Sequence, residues 1–119
     1  MKSYRDLEVY QRSYQLAVSI HKFSVQLSRE LSWDIGDQIR RASRSIPSNI
    51  AEGYGRNKSS RDIINFLNDA LGSNDEMLFN LEFMKDVGLL KEHEYKYYVE
   101  QYIICGKQLS TLIKILKNQ

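Results

Sequence analysis

The chain has 119 residues and a net charge of +2, with 42% hydrophobic and 27% charged residues. That length makes one domain, 1–119, and the balance excludes both a disordered chain and a membrane span. No stretch approaches the ~20 apolar residues that cross a bilayer. Only 6 glycines and 1 proline are present, which disfavours turn-dense β folds. Met1–Asp6 lacks an apolar h-region, so no signal peptide is expected. The lone Cys105 cannot make an internal disulfide and suits a reducing cytoplasm.

Val9, Leu16, Ile20, Phe23, Leu27 and Leu31 recur at helical spacing, with Ser13 in the gap. They predict a first helix over about 7–30, capped by Asp6. Ile35, Ile39, Ala42, Ile46 and Ile50 predict a second helix over about 34–54, capped by Ser32 or Asp34. Pro47 falls inside that pattern, and the phase resumes at Ile50, so a kink is expected rather than a stop. Gly53 and Gly55 offer the helix end. Ser59 and Asp62 resemble a capping box for a third helix, which carries Ile63, Leu67, Ala70, Met77, Leu81 and Met84 and closes at Gly88. Tyr95, Val99, Tyr102, Gly106, Leu109, Ile113 and Leu116 alternate by four and three and predict a fourth helix over about 92–117. The fold class is therefore all-α, an antiparallel up-down-up-down four-helix bundle with a Pro kink in the second helix.

A monomeric bundle helix needs one apolar stripe, and several of these have two. Tyr10, Tyr14, Val18, His21 and Val25 make a second row on the first helix. Phe79 and Phe83 lie nearly opposite Leu81, and Tyr97, Ile104 and Ile115 lie nearly opposite Val99 and Ile113. Isolated outward apolar residues are ordinary, but rows of aromatics mark subunit contacts. A homo-oligomer is the expectation. Its interface draws on Tyr10, Tyr14, Val18, Phe79, Phe83 and Ile104, joined by Asn49 and Glu52 from the polar row Gln38, Ser45, Asn49, Glu52 at the edge of the second helix.

Between positions 40 and 61 lie six bases (Arg40, Arg41, Arg44, Arg56, Lys58, Arg61) and one acid, Glu52, so this window carries +5 in a chain of +2. Arg40, Arg41 and Arg44 are expected on the outer face. Three uses are open to them. They form a solvated face with Arg41 paired to Asp37, a phosphate-tracking stripe, or contacts to acids of a neighbouring subunit.

Catalytic patterns are scarce. Neither His21 nor His93 has a Glu three residues before it, as a di-iron bundle site requires. No metal or cofactor is expected. Cys105 has no histidine near it in the chain and reads as a buried, inert thiol. Gly53-Tyr54-Gly55 follows a helix rather than a strand, which makes it a helix stop rather than a phosphate loop. Asn74 interrupts the apolar face of the third helix, as register-fixing asparagines do. An enzyme using Glu52 or Tyr54 in an inter-subunit cleft is a third-ranked reading, since no base–nucleophile pair is visible.

The run Gln38-Ile39-Arg40-Arg41-Ala42-Ser43-Arg44-Ser45-Ile46-Pro47-Ser48-Asn49-Ile50-Ala51-Glu52-Gly53-Tyr54-Gly55-Arg56 resembles the signature of the 23S rRNA-intervening-sequence proteins, also labelled S23 ribosomal proteins. Asp6-Leu7-Glu8-Val9-Tyr10-Gln11 is similar to that family's opening, and Phe66-Leu67 through Ala70-Leu71-Gly72-Ser73 to its third-helix motif. Asn74 departs from the apolar residue expected there. The resemblance implies a bacterial four-helix bundle, often encoded within large-subunit rRNA genes, that closes into a homopentamer. A similar bundle is the accessory protein of diversity-generating retroelements, where it contacts a reverse transcriptase and nucleic acid. Residues and resemblance together predict a non-enzymatic homo-oligomer that binds rRNA or an RNA-handling protein through the basic stripe. The alternative is a structural or docking oligomer whose arginines serve subunit contacts.

Overall fold

The computed structural model describes residues 2–55 and 59–119. Ser3 and Asp6 cap each other across a 3-10 turn, Tyr4–Asp6, in which the Asp6 carboxylate accepts from the amides of Lys2 and Ser3. Asp6 thus caps this turn and not the helix after it. Helix α1, Glu8–Ser24, begins at Leu7 without a side-chain cap and stops well short of 30. Its buried face is Val9, Ser13, Leu16, Ala17, Ile20 and Ser24, a repeat of threes and fours.

The chain turns and re-enters helix at Ser28, whose hydroxyl accepts from the Leu31 amide. One turn, α2 (Arg29–Leu31), leads into a π-helical turn, Ser32–Gly36, and then into α3, Asp37–Tyr54. The cap therefore sits earlier than either expected candidate, Ser32 or Asp34. The departure from α geometry also falls earlier than Pro47, since α3 continues through that residue for two more turns. The π turn leaves Trp33 76% exposed.

Helix α4, Ser60–Asp86, starts under a bond from the Asp62 amide to the Ser59 hydroxyl, and ends at Gly88, whose φ of +84° suits only glycine without strain. Helix α5, Glu92–Lys117, has the predicted bounds. The Glu94 carboxylate accepts from the Lys91 amide and stands in for a capping residue.

These four long helices form a bundle in which α1 packs on α3, α3 on α4 and α4 on α5, while α5 closes more thinly on α1. The result is a rod of 46 × 22 × 20 Å. Its core is Ile20, Ile39, Ile46, Ile50, Leu67, Met77, Leu81, Met84, Tyr102 and Leu109, all fully buried. On α5 the buried stripe is Tyr98, Tyr102, Cys105, Leu109 and Ile113. Tyr102, Leu109 and Ile113 belong to the predicted stripe, whose Tyr95, Val99 and Leu116 are half-buried against the core, while Tyr98 and Cys105 widen it. Asn74 fills the space beside Gly106 and donates 2.9 Å to the Tyr102 carbonyl, tying α4 to α5. No described helix is long and apolar enough to cross a membrane.

Candidate subunit and nucleic-acid interface

The second apolar row of α1 is real. Tyr4 meets Tyr10 edge-on at 4.9 Å, and Tyr10 stacks on Tyr14 at 6.0 Å. Tyr14 is 53% exposed and Val18 39%. These side chains form one wall of a groove between α1 and α3, with a volume of about 480 Å³. The opposite wall is Pro47, Ser48 and Ala51 of α3, and Ala17 contributes to the floor. The sequence pattern of α1 gave the first wall. The second was hidden because Pro47 reads as a helix disturbance, whereas here it is a buried residue of the groove wall.

The rim of the groove is basic. Lys22, His21 and Arg44 line it, and no acid does. Lys22 and Arg44 have no carboxylate partner among the described residues.

The other arginines of the stripe separate. Arg40 was expected on the outer face, and instead is half-buried. Its guanidinium donates to the Ser24 hydroxyl (2.8 Å), the Ser32 hydroxyl (3.3 Å) and the Ser32 carbonyl (2.9 Å). It pins the last residue of α1 to the π turn, and a Cβ at Gly36 would approach its Nη1 to 3.1 Å. Arg41 is exposed and paired to Asp37 at 3.2 Å, an i,i+4 pair of small energetic weight at the surface. Arg61 is exposed in the first turn of α4. Arg56 and Lys58 lie outside the described residues.

Of the polar row of α3, Ser45 faces α4 and Gln38 is exposed. Ser73 donates 2.8 Å to Ser45, and Asn49 donates to the Ser45 carbonyl (2.9 Å) and hydroxyl (3.0 Å). Asn49 is thus engaged within its own chain. Glu52 is exposed. It stands two residues from Tyr54, so the two side chains project from different faces of α3 and do not converge. Burial raises the Tyr54 phenol above its ordinary value, the wrong direction for a base or nucleophile at neutral pH.

Two further apolar surfaces stand outside the core. Phe79 is 68% exposed and Phe83 48%, both on the outer face of α4. On α5, Tyr97, Ile103 and Ile115 are exposed, whereas Ile104 is half-buried. At the end of the rod where α1 finishes and α5 begins, Val25, Trp33 and Val87 are exposed as well.

Cys105 is fully buried. Burial pushes its thiol up to about 11, and the nearby Arg12 offsets only part of that. Among the described residues, no group of three or more His, Cys, Asp or Glu side chains could hold a metal ion.

No curated protein matches the chain. Among solved structures, a protein of unknown function from the S23 ribosomal protein family of Bacteroides thetaiotaomicron is similar, at 29% identity and a TM-score of 0.81, over 89% of this chain and 95% of that one. The family model described as 23S rRNA-intervening sequence protein matches residues 5–111, which span all four long helices but for the last turn and a half of α5. The bundle, its signature run through α3 and this match together place the chain in the 23S rRNA-intervening sequence protein family.

Proposed function

We propose that the protein is a non-enzymatic, homo-oligomeric bundle that serves as an accessory to RNA or to an RNA-handling partner. The observation that carries the assembly is the groove between α1 and α3, open and apolar on a 14.0 kDa chain. Its wall leaves Tyr14 and Val18 exposed, and Phe79 and Phe83 stand exposed on α4, apolar side chains that a second copy would cover. The resemblance implies five copies. The link to RNA draws support from the family's name and from the exposed cations that could face a phosphate backbone, Arg44 and Arg61, with Arg41 shared with Asp37. Copying these cations around an assembly would strengthen contacts that are weak singly.

A second reading has its own support. Arg40 is engaged inside the fold, Arg41 has an acid beside it, and Arg44 borders the apolar groove. This arrangement suits a docking oligomer whose arginines serve protein contacts.

Light scattering on the purified chain and titration with structured RNA separate the two. The RNA reading expects a native mass above 14.0 kDa and binding that weakens steeply as salt rises. Arg41→Ala with Arg61→Ala should abolish that binding and leave the mass unchanged. Absence of binding even at low salt would overturn the RNA reading and leave the docking one. A mass of 14.0 kDa at all concentrations would overturn both.

A further inference from the structure

We propose that copies of this chain join head to tail, with the phenylalanine ridge on the outside of α4 of one copy seated in the α1–α3 groove of the next. The inference rests on the self-association reading above and adds which two faces meet.

The ridge is built as a contact stripe. Gly72, Glu76, Phe79 and Phe83 follow one another at steps of four, three and four, on the side of α4 away from Leu67, Met77 and Leu81. A Cβ at Gly72 would meet nothing within 4 Å, so the stripe stands clear of its own bundle. Phe79 and Phe83 are one helical turn apart, as are Tyr10 and Tyr14 on the groove wall, so i,i+4 rows stand ready to interleave.

Charge selects the pairing. From Asp62 to Met84 the helix contains no lysine or arginine. Asp69, Asp75, Glu76 and Glu82 are exposed, and none has an ion pair among the described residues. The groove shows the opposite pattern: among the described residues Lys22 and Arg44 on its rim have no ion-pair partner, and no acid lines it. Groove against groove would bring these cations together, and ridge against ridge would oppose the acids. Ridge in groove brings unpaired acids to unpaired bases around an apolar centre. One molecule cannot make this contact with itself, because the stripe looks outward from α4 while the groove lies on the other flank of α3. The pairing is therefore heterologous, and each copy keeps one free ridge or groove until a ring closes or a filament grows.

The test uses two full-length double variants at exposed positions, checked for helicity by circular dichroism. A ridge variant carries Phe79→Asp and Phe83→Asp, and a groove variant carries Tyr14→Asp and Val18→Asp. Serine at the same positions serves if aspartate disturbs folding. Each variant alone should scatter as a 14.0 kDa particle. Mixed in equal amounts, they should give a particle of twice that mass, because one retains an intact groove and the other an intact ridge. Lys22→Glu with Arg44→Glu should disperse the wild-type assembly, as should added salt. A ridge variant that keeps the wild-type mass overturns the proposal and leaves self-association standing through another face. A mixture that stays at 14.0 kDa also overturns it. A wild-type chain that is monomeric removes the self-association reading itself, and this pairing with it.

Discussion

Arg40 shows how one side chain is diverted from surface chemistry to structure. Its three bonds reach the end of α1 and the π turn, so its removal leaves the Ser32 carbonyl and two hydroxyls without this partner. Hydrogen bonds from a charged donor are worth about 1.5–3 kcal/mol. Arg40→Ala should lower stability by about that amount in urea denaturation, and should leave RNA affinity unchanged. Cys105 makes the second residue-scale case. Its folded thiol titrates at about 11, above its ordinary 9.0. Between those values the unfolded chain releases a proton that the folded chain retains, so stability falls as pH rises through this window. Cys105→Ala should flatten that fall, leaving the contribution of tyrosines such as Tyr102, whose phenol burial also raises. At neutral pH the native thiol should resist a disulfide reagent that labels it promptly in denaturant. The sequence made both roles only half legible. A buried thiol follows from Cys105's place on an apolar helix, whereas Arg40's partners lie 8 and 16 residues away and depend on how the π turn is folded.

The helices themselves were read well where local chemistry decides them. α5 begins and ends as its pattern predicts, because a 26-residue amphipathic helix has few alternatives. The entry to α3 was missed because a π turn adds a residue to the repeat and shifts the phase of everything before it. The buried face of α5 holds the predicted Tyr102, Leu109 and Ile113, with Tyr95, Val99 and Leu116 packed against the core, and it adds Tyr98 and Cys105. Gly106 sits where Asn74 already fills the space. Glycine substitutions test this packing. A Cβ on Gly106 would lie 3.1 Å from Asn74 Nδ2, so Gly106→Ala should be destabilising by roughly 1–3 kcal/mol through overpacking, net of its helix preference. At Gly72 nothing stands within 4 Å, and Gly72→Ala should stabilise the chain by roughly 0.5–1 kcal/mol. Urea midpoints at one protein concentration would show the opposite signs.

At the scale of the whole molecule, a rod only 22 × 20 Å in cross-section has little interior for its aromatic content, and the excess stands on the outside. That surplus was legible as doubled stripes in the sequence. Which residues gather into one groove was not, because Pro47 and Ala51 join Tyr14 and Val18 only once α1 and α3 pack. If copies shelter this surface for one another, folding is linked to association. The thermal midpoint should then climb with protein concentration, and substitution of Tyr14 or Phe79 by aspartate should abolish the climb. The tip of the rod has a different use. The chain's single tryptophan, Trp33, projects from the π turn and is 76% exposed. Its intrinsic fluorescence should already have the red-shifted colour of a water-bathed indole in the native state and should barely change on denaturation. A blue shift would then report something landing on that tip, an optical signal built into the chain without any added dye.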